Sequence, residues 1–396
     1  MTAVLYVAFH SQLGGAELAL LGLLETLDRE RFTPIVLVAR EGPLVEALRR
    51  RAIPVFTEPR MRLVTRRDLR PGEILAYIRT RTRVVRALAR VVGEHRVGLV
   101  HAFVAAALGY AGRAARTAGV PAVGTVHEPL GAFAWPRRRL LVASLNRFCH
   151  GVTVPSEANR AMALRYGVCA DRVTVVRTGI DVDRFRMDPA GGRRVRDELG
   201  VTPGTPLVGM VARFNRGKGH DVLLRAMAVV AGWSPDARCV LVGDALFAGE
   251  HEWKARMVAL TAELGLGERV VFTGWRDDVP AVLSALDVLV HPPTTPDSLP
   301  TVVLEAMAVG RAVAAAAIGG LPEMVEHGLT GYLVPPGKPE ALAAALRVLL
   351  TDPAARAMMG AEGRRRVSRE FSRERFGQAM EGVYGRIYRA GGSRTS

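Results

Sequence analysis

Cysteine and lysine are nearly missing from this 396-residue chain: there are three of each, against 51 arginines. Cys149, Cys169 and Cys239 lie far apart and form no C-x-x-C pair. That argues against a disulfide framework or a zinc site and fits a reducing compartment. Aromatic residues make up 6% of the chain, and few interleave with the arginines, so there is little to stack nucleic-acid bases on. No apolar run reaches the roughly 20 residues of a membrane helix; the longest, 97–112, is interrupted by His101. The apolar start has no basic leader and is broken by His10, Ser11 and Gln12, so it reads as a first strand rather than a signal peptide. No G-x-G-x-x-G fingerprint follows a strand, which gives a dinucleotide site little support. A clear metal-binding Asp-x-Asp is missing too, Asp181-x-Asp183 alone having the spacing. There is no internal repeat and no low-complexity segment.

What remains is a globular composition, 49% hydrophobic and 23% charged. The length suggests about two domains. The net charge of +16 is uneven, because residues 1–190 hold 29 Arg against 16 acids. Within 60–90 alone, ten Arg face only Asp68 and Glu73. Two readings stand side by side: a solvated basic face from an arginine-favouring code, or a first domain that docks on an anionic membrane surface or meets a polyanionic acceptor. Nucleic acid is the weaker partner.

Strand and helix signals alternate from the start. Residues 2–9 read as a strand, the turn His10–Gly15 holds Gly14 and Gly15, and Ala16–Leu27 is an amphipathic helix. A strand, a Gly-Gly turn and a helix start let backbone N–H groups approach a ligand closely. Strands at 34–39, 53–56, 98–102, 122–126, 151–155 and 173–176, with helices between them, argue for a parallel, doubly wound domain. Ligands then sit at the carboxyl ends of strands, where His127 and Glu128 fall. Residues 188–204, rich in Gly, Arg and Asp, read as the stretch between domains. Pro206–Val211 opens a second α/β half, followed by a Gly-containing loop with Arg213 and Lys218. Two cations five residues apart suit a diphosphate.

The most informative stretch is His291–Gly310, HPPTTPDSLPTVVLEAMAVG. An apolar strand ends, Pro292, Pro293, Pro296 and Pro300 force a loop, and a helix starts near Thr301. Loop amides at that helix start attract an anion, and an acid one turn in can accept hydrogen bonds from sugar hydroxyls.

Asp297-x7-Glu305 followed by Ala306, Met307, Ala308 and Gly310 resembles the acid-x7-acid signature of retaining GT-B glycosyltransferases, family 4 in particular. The family's first acid is usually Glu with a Phe-Gly pair just after it; here stand Asp297 and Leu299-Pro300. The GGAE turn, His127 after its strand, Arg213 and Lys218, the Gly319–Glu323 turn and the Gly328–Pro336 segment resemble the family as well. The resemblance implies a GT-B fold: α/β, two Rossmann-like doubly wound parallel-sheet domains facing a cleft. Residues 1–190 would form the acceptor-side domain and 191–375 the nucleotide-sugar domain, with 376–396 a helix packing back on the first. It implies metal-independent transfer, with retention, of a sugar from a nucleoside-diphosphate sugar to a hydroxyl acceptor. No cofactor or metal is expected beyond that co-substrate. The acceptor would be a lipid-linked or cell-envelope glycan or a small glycoside, and the protein cytoplasmic or peripheral at the inner face of the plasma membrane. Arg213 and Lys218 would hold the diphosphate, helped by amides of Leu299, Pro300–Thr301 and Val302. Glu305 would take the ribose and Asp297 the donor sugar. His127 would contact that sugar, Gly14 and Gly15 would close over the donor, and Gly274, Trp275 and Arg276 would lie by the base. Two alternatives stand: a nucleotide-sugar-binding protein without turnover, marked by the shorter acid at 297, or a GT-B sugar-nucleotide epimerase.

Overall fold

Among the described residues, thirteen short, mostly apolar strands alternate with helices. Residues 1–62, 71–246 and 248–392 are described by the computed structural model of the chain. Part of the arginine-rich tract at 60–90, residues 63–70, therefore lies outside the described residues. The chain divides into two units: Met1–Gly179 with Arg373–Ser396, and Ile180–Ser372.

The first unit holds β1 (Thr2–Val7), β2 (Phe32–Val38), β3 (Val55–Thr57), β4 (Val97–Ala102), β5 (Ala122–Thr125), β6 (Gly151–Val154) and β7 (Val173–Val175). They form one parallel sheet in the order β3-β2-β1-β4-β5-β6-β7. Successive side chains of a strand point to opposite faces, so Val4 and Tyr6 enter one core layer and Leu5 and Val7 the other. Both layers are covered by helices, as a parallel sheet requires. The last helix, Arg373–Gly392, belongs to this unit: Phe376, Met380, Val383 and Tyr384 are buried with the first helix, Gly15–Thr26. Polar contacts fix it further. Glu381 accepts from the Asp28 amide at 2.7 Å and from Arg31 at 3.1 Å. The Tyr384 hydroxyl lies 2.8 Å from His101 Nδ1, and His101 Nε2 lies 2.7 Å from Thr125 Oγ1, which reaches Thr153 Oγ1 at 2.6 Å.

The second unit holds β8 (Leu207–Val211), β9 (Arg238–Val242), β10 (Val270–Gly274), β11 (Val288–His291), β12 (Ala312–Ala316) and β13 (Gly331–Val334). Their order is β10-β9-β8-β11-β12-β13, again all parallel. No helix among the described residues is long and apolar enough to cross a membrane.

The division falls at Gly179/Ile180 rather than at 190, and at 372 rather than 375. The Ile180 amide donates to Phe371 O at 2.9 Å and Ile180 pairs with Ser372, so 180–190 belong with the second unit. The stretch 188–204 is no linker either. Pro189–Glu198 is a helix, started by the Asp188 carboxylate, which accepts from the Gly191 amide at 2.9 Å. Gly191 and Gly192 are there for close approach: a Cβ on Gly192 would lie 2.9 Å from the Ser284 backbone, on the neighbouring helix Val279–Ala285.

Candidate functional site

In the second unit the strand order reverses between β8 and β11, and in such sheets ligands sit outside the carboxyl ends at that point. β8 runs into the loop 212–219 and β11 into 292–300. Asn215 Oδ1 accepts from the Gly217 amide at 3.0 Å and shapes a 3-10 turn over Arg216–Lys218. Gly219 ends the turn with φ +82°, and a Cβ there would lie 1.9 Å from Pro292 O. Only glycine allows the two loops to touch. The Thr294 amide donates back to Gly217 O at 3.0 Å. The result brings Lys218 Nζ within 2.5 Å of Asp297 Oδ2, although the residues are 79 positions apart.

Asp297 is held from several sides. His291 Nε2, at the end of β11, lies 3.2 Å from Oδ2; the Ser298 amide donates to Oδ1 at 3.0 Å; the Gly320 amide donates to Asp297 O at 2.8 Å. Burial alone would push this carboxyl up, but His291 and Lys218 together hold it below the usual carboxylate range. Burial pulls His291 down against its bond to Asp297, which leaves a neutral imidazole, and its Nδ1 is buried with no hydrogen-bond partner.

The helix Thr301–Val309 starts at Pro300, with Leu299 and Pro300 buried and Thr301 and Val302 partly exposed. Glu305 sits one turn in. Burial pushes its carboxyl up to about 7, against the Thr301 hydroxyl and the Arg184 charge, which favour ionisation. Arg213 lies on the same rim, 3.4 Å from Glu250. The loops after β8, β9 and β10 are joined: the Phe214 amide donates to Asp244 O at 3.2 Å and the Gly243 amide to Gly274 O at 2.9 Å. Lys218, Arg213, Asp297, Leu299–Val302 and Glu305 thus share the carboxyl rim of one sheet with Gly274. Trp275 is exposed and donates from Nε1 to Asp277 at 2.8 Å. Arg276 forks onto both Glu198 and Asp278 at 2.8–3.0 Å, so its guanidinium fastens the β10 loop to the helix Pro189–Glu198.

The first unit gathers its own set at the ends of β1, β4 and β5. The Gly14 amide donates to Glu17 Oε2 at 3.2 Å, and a Cβ on Gly14 would lie 3.0 Å from that oxygen, whereas Gly15 has open space around it. Glu17 is buried; desolvation raises its pKa, with the fields of His10 and Glu128 acting in opposite senses. His127 lies against the Phe103 ring, centroids 4.9 Å apart. Burial draws it down to about 4 despite a hydrogen bond to the Phe103 backbone, and its Nε2 is buried without a partner. A neutral imidazole with one uncommitted nitrogen results.

Sequence reasoning placed the rim residues but missed His291, Phe103 and Glu250 as their supports. The one signal for His291 is a histidine closing an apolar strand six positions before the acid. Among the described residues, no group of three or more His, Cys, Asp or Glu side chains is arranged to hold a metal ion.

Residues 193–366 match the family described as glycosyl transferases group 1, and residues 13–184 match glycosyltransferase family 4. The chain is 32% identical over 292 residues to a GDP-mannose-dependent alpha-(1-6)-phosphatidylinositol monomannoside mannosyltransferase of Mycolicibacterium smegmatis, covering 71% of this chain and 74% of that one. It is 32% identical over 255 residues to a 2-deoxystreptamine glucosyltransferase of Streptomyces kanamyceticus, covering 61% and 64%. The chain spans about half or less of the length of several further relatives. Among solved structures, HepE of Anabaena in complex with UDP-glucose superposes with a TM-score of 0.84 at 28% identity, over 97% of this chain and 100% of that chain.

Proposed function

The chain belongs to the GT-B glycosyltransferases of group 1 and family 4, and from that premise we propose that it transfers a sugar from a nucleoside-diphosphate sugar to a hydroxyl acceptor. The observation that carries this reading is the meeting of Lys218 and Asp297 across the β8/β11 reversal, beside the start of the helix Thr301–Val309. A diphosphate placed there meets Lys218, Arg213 and helix-start amides, which offset the charge that builds as the leaving group departs. This allows transfer without a divalent metal. Glu305 takes the ribose hydroxyls. Asp297 orients Lys218 first: Lys218, His291 and the Ser298 amide use three of roughly four acceptor positions of the carboxylate, leaving one for a sugar hydroxyl. In the first unit, His127 offers an uncharged ring nitrogen that a sugar hydroxyl can use. Transfer proceeds with retention, as the resemblance implies, and the anomeric configuration of the product reads it directly.

The acceptor we propose is carried on an anionic membrane. Supporting this, Ile74, Leu75 and Ile78 are exposed on the helix Pro71–Glu94, which also carries Arg79, Arg81, Arg83, Arg86 and Arg90.

The test is nucleoside-diphosphate release from UDP-, GDP-, ADP- and TDP-sugars in the presence of EDTA, for wild type and Lys218→Ala. One donor should be cleaved by wild type and at least tenfold more slowly by the variant, since a charge-assisted hydrogen bond contributes about 1.5–3 kcal/mol. Release abolished by EDTA would sink the metal-independent step. Lipid acceptor in anionic vesicles that accelerates release no more than a soluble glycoside removes the membrane part.

A further inference from the structure

The second unit has a cavity of about 470 Å³ at the end of the sheet opposite the donor rim. Its place follows from the chain: Pro206, Asp287 and Arg311, which line it, directly precede β8, β11 and β12. Four arginines line it, Arg193, Arg196, Arg311 and Arg356, with Asp197 and Asp287 as the acids, so positive charge exceeds negative by two.

The one central carboxylate is oversubscribed. Asp287 takes Arg196 at 2.7 Å, Arg356 at 3.4 Å and the Leu207 amide at 2.8 Å. Arg311 has no carboxylate within ion-pair distance among the described residues; it donates to Leu283 O at 3.2 Å and to Ser284 O. Burial lowers its pKa, and although Asp287 supports its charge, Arg196 and Arg356 oppose it. Arg193 is exposed and has no bonded partner among the described residues.

Part of this is structural. Arg311 and Arg196 donate to Leu283, Ser284 and Ala285 carbonyls at the end of the helix Val279–Ala285, as cations near a helix C-terminus commonly do. That role uses Arg311 and one edge of Arg196. It does not use Arg193 or the Nε of Arg356, and it leaves the partly buried Arg311 sharing the field of Asp287 with Arg196 and Arg356, an arrangement that costs free energy until an anion arrives.

We propose that this cavity binds a small, multiply charged phosphate compound through Arg193, Arg311 and Arg356. Guanidinium forks match phosphate oxygens, and the volume lies within the range of small-molecule sites. The remaining lining is mostly aliphatic, with Pro203, Leu350 and Pro353 beside the hydroxyls of Thr205 and Ser284, and it has no aromatic ring to stack a base. A diphosphate or sugar-phosphate therefore fits it better than a nucleotide.

The probe is inorganic pyrophosphate, titrated calorimetrically into the full chain. The donor rim also takes a diphosphate, so the background is Lys218→Ala. We expect saturable binding that survives in Lys218→Ala and weakens about tenfold or more when Arg193→Gln and Arg356→Gln are added, the loss of roughly one charge-assisted contact. Arg193→Gln alone, at an exposed side chain without a bonded partner, cannot unfold the unit and should weaken binding about threefold. Pyrophosphate binding that disappears with Lys218→Ala, or that ignores both arginine replacements, overturns the site. Either result leaves the donor reading untouched, because that reading rests on sugar-nucleotide cleavage.

Discussion

Glu305 offers the sharpest quantitative test. Its carboxyl is raised from an ordinary 4.5 to about 7 by burial. Each pH unit between the two values corresponds to about 1.36 kcal/mol, so ionised Glu305 costs the folded chain about 3 kcal/mol. The sign is fixed by the direction of the shift. With a folded-state pKa above the unfolded one, the contribution is fully present below pH 4.5 and is lost as pH rises through 7. Replacing Glu305 with Gln removes the titration at similar volume. Urea unfolding should show the wild type losing about 3 kcal/mol relative to Glu305→Gln between pH 4 and pH 8, with the gap opening mostly between pH 5 and 7. Ligand binding runs the other way. If ribose hydroxyls donate to the carboxylate, binding demands the ionised form, and at pH 6.5 about three-quarters of the free protein must give up a proton. Calorimetry of a nucleoside-diphosphate sugar in buffers of different ionisation heat should report roughly 0.7 proton released per ligand, and none for Glu305→Gln. The same release from both proteins, or none from wild type, would refute the assignment of Glu305 to the ribose.

Two further outcomes follow from the packing. Tyr384→Phe removes the hydroxyl 2.8 Å from His101 Nδ1 and leaves a buried ring nitrogen unpaired; thermal unfolding should show a loss of about 1–3 kcal/mol, and an unchanged midpoint would contradict it. Gly219→Ala sets a Cβ against Pro292 O at φ +82° and should cost more than about 3 kcal/mol together with affinity for the sugar-nucleotide donor, while Gly15→Ala, with nothing within 4 Å, should fold like wild type.

Much of this was legible in the sequence because the relevant signals are local. Apolar strand runs followed by Gly- or Pro-containing loops marked the parallel sheets; Arg213, Lys218 and Asp297 fall on loops that the sheet topology gathers, and Glu305 on the helix that follows one of them. What stayed hidden depends on partners distant in the chain. Nothing near Asp297 announces that Lys218, 79 positions earlier, takes its carboxylate. Nothing near Arg276 in the sequence announces Glu198, 78 positions earlier, as a partner of its guanidinium. Gly191-Gly192 suggested a loose connection because glycine is read first as freedom; here its value is the space that a side chain would deny to Ser284.

The helix Arg373–Gly392 also bears on how the protein is made. Translation delivers residues 1–179 before 180–372, so the layer around Tyr6, Leu20 and Val36 lacks Phe376, Met380 and Tyr384 until the helix Arg373–Gly392 has been synthesised. The second unit, continuous from 180 to 372, can close as soon as it emerges. The unit whose strands are made first is therefore completed after the one that follows it. In the interval, its apolar face and the His101 ring are in the nascent chain's care, and a ribosome stalled before codon 373 would leave them uncovered.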